Sequence, residues 1–568
     1  MSLFAGIICH RGFNQYHKQL IRKVSSYFSD FNPQHCNKVS TDNCYISHFD
    51  FDAYKQPVFL QNETHCSTLI GHPLLSANRT DDIAALNGHL QLETSLAQCE
   101  GAFCYLNVDH EAKSLTLATD ALGLRPFYYM VFDGALIIST QLTFFTRLGI
   151  HLTPNAAGLT EYATLGYFLL DHTPYKEVKC ALPNQILRYT DHQVCLTQYF
   201  DWVTLANQQR NVPEAVAGIS HAFKSACEKY RGHDQHVVTT LSGGLDSRLI
   251  SSELKQQQCD ISALNFSTQR THDATCARAF AKHQNIACDF IHVNDTQSQT
   301  VEQRLGTYWR QAPHPDYANV TRPQLAWSGN GGSVGVGMVY YSESIYQAAK
   351  TGSLDKLIDA FLAQQYAYLP AKVVRQAKQY QDTLKQHLQL AFAPLTSLPL
   401  TKAYPLFLLL NDQRHHLSIP FENITDYQME FCVPFFSWKV LQFPLSLPVE
   451  ETRNHQFYMK WMELTYPEAL ETPWQAYPGH AACPHKVEGE TQWQHNRRKV
   501  ASNQTVARVW LRALRFDDHR YIRKPIFSLL CLLHLLKLRD ATSTITLTHR
   551  LIRWRTKTRR QRTYSQTF

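Results

Sequence analysis

Ser242, Gly243, Gly244, Asp246 and Ser247 fall together in the stretch VVTTLSGGLDSRLISSEL, residues 237 to 254. Val237 to Thr240 form a β-branched run, and Leu245, Leu249, Ile250 and Leu254 recur at helical spacing, so the cluster is a strand-to-helix turn entered through Leu241. A turn of this kind presents unpaired backbone N–H groups at a helix N-terminus, where the macrodipole also favours an anion. Two glycines permit a close approach and two serines add hydroxyl donors, which suits a phosphate. Asp246 would repel that phosphate unless a cation lay between them, and Mg²⁺ is the cation of choice. A glycine turn capped by Ser or Asp with no ligand is the plain alternative, and the unbroken S-G-G-L-D-S string outweighs it.

The elements that must position this turn follow from the surrounding pattern. The 568 residues, 44% of them hydrophobic, are too many for one ordinary domain and enough for two or three. Up to about residue 200, short β-rich runs alternate with turn residues (LFAGIICH, CYISHF, GAFCYLNVD, SLTLATD, PFYYMVF, ALIIST), which predicts a layered α+β domain, largely antiparallel. The polar segment 206–216, with Pro213, reads as a linker. Beyond it HVVTTL, ISALNFS and CDFIHVN alternate with helical patterns, predicting an α/β domain with a parallel sheet and right-handed crossovers. In such a sheet a ligand binds at the carboxyl ends of the strands, where the Ser242 turn falls; Ala263 to Ser267, Leu264 among them, end the next strand and read equally as a surface for an adenine or as a plain core strand.

Composition narrows the partners. Fifteen cysteines show no paired-ligand spacing, and the opening MSLFAGII lacks a charged leader, so reduced thiols in a cytoplasmic protein are expected. The apolar run Pro525 to Leu538 is too short to span a bilayer and predicts a core or interfacial helix. Net charge is +8, and the last twenty residues hold seven Arg or Lys and no acid; this basic tail reads as a solvated terminus, with weak contact to an anionic surface as the alternative. Nothing else points to nucleic acid.

The LSGGLDS string resembles the pyrophosphate loop of the N-type ATP pyrophosphatases in the form carried by the asparagine synthetase family, and lacks the Gly-Lys-Ser/Thr of a Walker A loop. The resemblance implies ATP held at Leu241, Ser242, Gly243, Gly244, Asp246 and Ser247, with Leu264, Ser328 and Gly329 also at the nucleotide, Mg²⁺ on Asp246, and a substrate carboxylate adenylated at the α-phosphate. Residues 99–140, with Gly101, Asp120, Gly123, Pro126, Tyr128, Tyr129 and Ser139, resemble the amidotransferase domain at the front of that family. The implied organisation is an amidotransferase-like domain over 1–205, an ATP-binding domain over 215–490, and a helical extension with a basic tail over 491–568.

Departures from the family pattern carry information of their own. Ala5 stands where glutamine-using members have an N-terminal cysteine nucleophile, Cys9 reads as a buried thiol, and Ile70 and His72 replace the glutamine-holding Asn and Glu. This is reminiscent of β-lactam synthetases and lasso-peptide cyclases, whose substrates supply their own amine. The family's S-G-D-G-A-D-E string is represented by Ser328 to Val334, with Ser333 in place of an acid. The family lysine has no clean counterpart, Lys460 and Lys486 being the candidates, and no catalytic residue is assigned. The leading expectation is an AMP-forming amide ligase of the asparagine synthase type, joining a small-molecule or peptide carboxylate to ammonia or an amine. The alternative is a nucleotide-binding scaffold or regulator without catalysis.

Overall fold

The computed structural model describes residues 2–551 apart from 30, 33–34, 89–90, 269–270, 294–298, 312–318, 366–367, 423–426, 493–499 and 516–520. The basic tail from 552 onward lies outside the described residues.

The front half is built from two six-stranded sheets, each antiparallel throughout. In the first, Ser2–Ile8 lies between Cys44–Asp50 and Ala135–Ser139; in the second, Phe103–Asp109 lies between His65–Gly71 and Ser114–Thr119. Each of the six β-rich runs read from the sequence forms a strand here. Phe4, Ile8, Ile46, Leu106, Leu117 and Ile138 alternate inward and share one buried cluster.

The rear half carries the expected parallel sheet. Its five strands run in the order Ala287–His292, Asp260–Ser267, His236–Thr240, Leu325–Trp327, Glu430–Cys432, all parallel. The chain winds outward from His236–Thr240 to one edge and then returns to fill the other side. The switch in direction therefore falls beside the central strand, and the turns after His236–Thr240 and Leu325–Trp327 are neighbours at the sheet's carboxyl end.

The stretch 206–216 is not a free linker. Trp202–Asn207 is helical, and a twenty-residue helix starts at Val212, so only 208–211 connects them. Asn211 caps that helix through a reciprocal box with Glu214, and Pro213 sits in the first turn, where its missing N–H costs nothing.

The two halves are fused rather than hinged. One continuous hydrophobic core includes Leu3, Ala5 and Phe28 from the front and Leu362, Phe407 and Leu441 from the rear. Across the junction the buried Arg125 guanidinium grips Glu430 with both nitrogens, one at 3.2 Å, and Ser437 donates to buried Glu100 at 2.7 Å. Behind the rear half, Asn503–Arg515 packs on Lys524–Leu535, and Leu529, Leu532, Leu536 and Leu538 are left exposed. The run that begins at Pro525 is thus a half-buried surface helix. No helix among the described residues is long and apolar enough to cross a membrane.

Candidate functional site

The turn after the central strand starts the helix Leu245–Gln256 with Gly244, which has no side chain to offer, as its N-cap. Within the turn the hydroxyls serve the backbone. Ser242 N–H donates to Ser247 Oγ at 2.9 Å, Gly244 N–H to Ser242 Oγ at 3.2 Å, and the two hydroxyls lie 3.1 Å apart. Leu241 N–H donates to the carbonyl of Leu264 at 2.9 Å, and both side chains are buried in the sheet.

Two segments far off in sequence close on the turn. Ser328 to Gly332 lies against it so tightly that a Cβ on Gly329 would come within 2.6 Å of Ser247 N, and one on Gly332 within 2.8 Å of Asp246 Cγ. These glycines answer to contacts within the protein. The end of the Ser328 to Val334 string winds into a short π-helical turn, Gly332–Val336. Asp246 caps it: Ser333 donates its N–H to Oδ2 at 3.0 Å and its hydroxyl to Oδ1 at 2.7 Å. Tyr458 donates to Oδ1 at 2.9 Å.

The side chain expected to hold Mg²⁺ is therefore held by three neutral donors, two of them from Ser333, which stands where the family pattern has a second acid. Burial holds the Asp246 carboxyl above its ordinary range, while the Ser333 and Tyr458 bonds pull the other way. Ser328 is tied elsewhere, its hydroxyl donating at 2.6 Å to Oε1 of Glu302, a fully buried carboxylate whose Oε2 has no hydrogen-bond partner among the described residues.

The second closing segment follows residue 473. Gln475 donates its N–H to the Gly243 carbonyl at 2.8 Å, and its side-chain amide bonds Asp273. Asp273 accepts the Gly243 N–H at 2.9 Å and Asn265 Nδ2 at 2.8 Å, so a buried carboxylate already uses one turn donor. Buried Arg248 anchors this segment by donating to the carbonyls of Ala469 at 3.3 Å, Thr472 at 3.1 Å and Pro473. What remains between Leu245, Ser333, His455, Trp474 and Tyr477 is a space of about 10 Å³, room for one water at most. A cavity of about 770 Å³ lies elsewhere, bordered by Tyr27, Phe49, Gln141, Arg147 and Glu422.

Neither candidate lysine joins the site: Lys460 and Lys486 are both exposed. Sequence reasoning missed Asp273, Gln475, Tyr458 and Arg248. Only Arg248 had a local signal, a charged side chain on a helix face otherwise given to Leu249 and Ile250.

In the front half Ala5 lies fully buried in mid-strand, paired with Ser47 and Ser139. Its nitrogen is a peptide nitrogen. Cys9 is buried, with its thiol pKa pushed up by burial. Ile70 is buried in its strand; His72 is buried 3.4 Å from Asp82, and burial pushes its imidazole pKa down.

Residues 71–200 match the glutamine amidotransferase domain family, a span that begins after the strand carrying Ala5. The chain is 25% identical over 162 residues to an asparagine synthetase [glutamine-hydrolyzing] of Bacillus subtilis (strain 168), covering 28% of this chain and 26% of that one. The Bos taurus asparagine synthetase [glutamine-hydrolyzing] is 23% identical over 203 residues, 34% of this chain and 35% of its own length. Its Homo sapiens counterpart is 24% identical over 199 residues, again 34% and 35%. The chain thus matches about a third of the length of these relatives. Among solved structures, the allosteric regulatory enzyme of purine biosynthesis aligns over 46% of this chain and 64% of its own at 15% identity, with a TM-score of 0.24.

Proposed function

We propose that this chain, a divergent member of the asparagine synthetase family, is an ATP-dependent ligase that forms a carbon–nitrogen bond by adenylating a carboxylate. The observation that carries the reading is the start of the helix Leu245–Gln256 on a glycine N-cap, reached through S-G-G-L-D-S, at the direction switch of a parallel sheet.

The fit of the groups is uneven. A pyrophosphate suits the N–H groups of this helix start, of which Asp273 and Ser242 Oγ already take those of Gly243 and Gly244. A magnesium ion would find one carboxylate here, Asp246, and would supply charge neutralisation beside the phosphates. A whole nucleotide needs a pocket of several hundred Å³, far more than the space left beside the turn, so Trp474 to Ala481 must withdraw to admit it.

In the reaction, a substrate carboxylate oxygen bonds to the α-phosphorus as the bond to the β-phosphate oxygen breaks and pyrophosphate leaves. An amine then attacks the acyl carbon, AMP departs, and the amine gives up a proton. The protein's part is positioning and charge stabilisation. The relatives are named as glutamine-hydrolysing, but a buried Ala5 offers no nucleophile, so ammonia or an amine brought by the substrate supplies the nitrogen.

ATP–pyrophosphate exchange with a panel of amino acids and peptides tests the proposal. Exchange that depends on a carboxylate, and is abolished in Asp246→Ala with secondary structure retained, is the expected result. Nucleotide binding with no exchange would establish the second reading, a non-catalytic nucleotide-binding relative, which the three neutral donors around Asp246 favour. Absence of nucleotide binding would sink both. Glutamate release from glutamine that disappears in Cys9→Ala would overturn the assignment of the nitrogen source.

A further inference from the structure

Three side chains with no part in that site converge where the front half meets the helical region. Glu161, on the helix Ala156–Leu165, is fully buried. His172 follows on the same half, and His387 arrives on the helix Ala377–Phe392, 226 positions after Glu161. His172 Nδ1 lies 2.8 Å from Glu161 Oε1, and His387 Nδ1 bonds the same oxygen. All three ligand atoms lie within 4.8 Å of one another.

The arrangement around the carboxylate is directional. Leu169 N–H donates to Glu161 Oε2 at 2.9 Å, which fixes the carboxylate plane and leaves Oε1 to the two imidazoles. Both rings stay partly open to solvent, at 17% side-chain exposure, which leaves a direction from which water can complete a coordination shell. The surrounding charge is balanced, because Asp171 and Lys179 pair with each other at 3.2 Å. Two imidazole nitrogens and one carboxylate oxygen are a borderline-soft donor set suited to zinc rather than to magnesium or calcium. Zinc bonds of about 2.0–2.1 Å put tetrahedral ligand atoms about 3.4 Å apart, which falls between the 2.8 Å His172–Glu161 contact and the 4.8 Å span of the cluster. Without an ion, one carboxylate oxygen must absorb both imidazole N–H groups. With one, each nitrogen offers its lone pair instead.

We propose that Glu161, His172 and His387 bind a divalent ion of the zinc class that clasps the front domain to the helical region. Two ligands come from one side of the junction and one from the other, so the ion acts as a structural cross-link, with water in its fourth position.

The test uses the full-length protein. After loading with Zn²⁺ and desalting, wild type retains stoichiometric metal; Co²⁺ in its place gives the visible absorption of a tetrahedral site, and chelation lowers the melting temperature. His387→Gln and His172→Gln, each checked for native secondary structure by circular dichroism, retain no metal and melt at a temperature indifferent to chelator. Failure of wild type to retain either metal would overturn the proposal and leave a hydrogen-bonded His–Glu–His cluster. Retention undiminished in His387→Gln would overturn it equally, by placing the ion elsewhere.

Discussion

Asp246 and Glu161 are both carboxylates enclosed at a junction between distant segments, and they are held by opposite kinds of partner. Asp246 meets two hydroxyls and a backbone N–H, all neutral, and its carboxyl stays above the ordinary range because burial outweighs them. Glu161 meets two imidazoles, and although burial pushes its carboxyl up, the His172 and His387 bonds bring it below the ordinary range. Neutral donors solvate a buried charge; titratable donors can neutralise it. The first arrangement keeps Asp246 a site where a cation would still be welcome, and the second makes Glu161 the centre of a cluster that a metal could take over whole.

The sharpest way to break the contrast is Ser333→Asp, which sets a second carboxylate against Asp246. Two like charges about 4 Å apart in a partly buried setting repel by about 4 kcal/mol, so the variant should unfold at much lower denaturant in chelator and recover with Mg²⁺. Equal stability with and without Mg²⁺ would show that the two carboxylates do not meet. Next in size, Glu161→Ala measured in chelator removes the shared acceptor of two half-buried imidazoles and should cost about 3 kcal/mol in equilibrium unfolding. Asp246→Asn turns one acceptor into a donor facing Ser333 or Tyr458 and should cost about 2 kcal/mol. Ser333→Ala, which removes one hydroxyl and spares the N–H bond, should cost about 1 kcal/mol. An unchanged denaturation midpoint in either Asp246→Asn or Ser333→Ala would mean that the cap on the π-helical turn carries no load.

The smallest expected effect is on pH dependence, and its signs differ between the two regions. Glu161, depressed below its ordinary 4.5, contributes stability that is present above pH 4.5 and lost as pH falls through the folded value. For His172, burial acts to lower the pKa but the Glu161 bond raises it above 6.5 overall, so its contribution is present below 6.5 and lost as pH rises through the folded value. Asp246, raised above 3.8, favours the folded state when protonated, and that preference fades as pH climbs through its folded value. Unfolding midpoints from pH 3 to 9 in chelator should therefore fall at both ends of the range in wild type, and Glu161→Gln should flatten the losses tied to Glu161 and His172. A wild-type profile superimposable on that of the variant would contradict the pairing.

The strand–turn–helix at Ser242 was legible because every signal for it is local: a β-branched run, two glycines, and apolar residues at helical spacing. The six front strands were legible for the same reason. What encloses the turn was not. Tyr458 and Gln475 reach it from more than two hundred positions away, and no spacing rule connects them to Asp246. The Glu161 cluster is hidden more thoroughly, since ten residues separate its first two members and neither interval matches a metal-ligand repeat. The misread stretch 206–216 is instructive in another way. Its polarity and Pro213 suggest a linker, yet Asn211 with Glu214 three places on is a helix-start signature that those features masked.

The continuous core that joins Leu3 and Phe28 to Phe407 and Leu441 makes the chain a single unit of turnover. Each half leaves part of its apolar surface for the other to cover, so a nascent chain with only the front half emerged presents an unfinished protein to chaperones until the rear has followed. Proteolytic nicking at 208–211 should likewise yield two fragments that remain associated and melt together, and expression of either half alone should deliver aggregate.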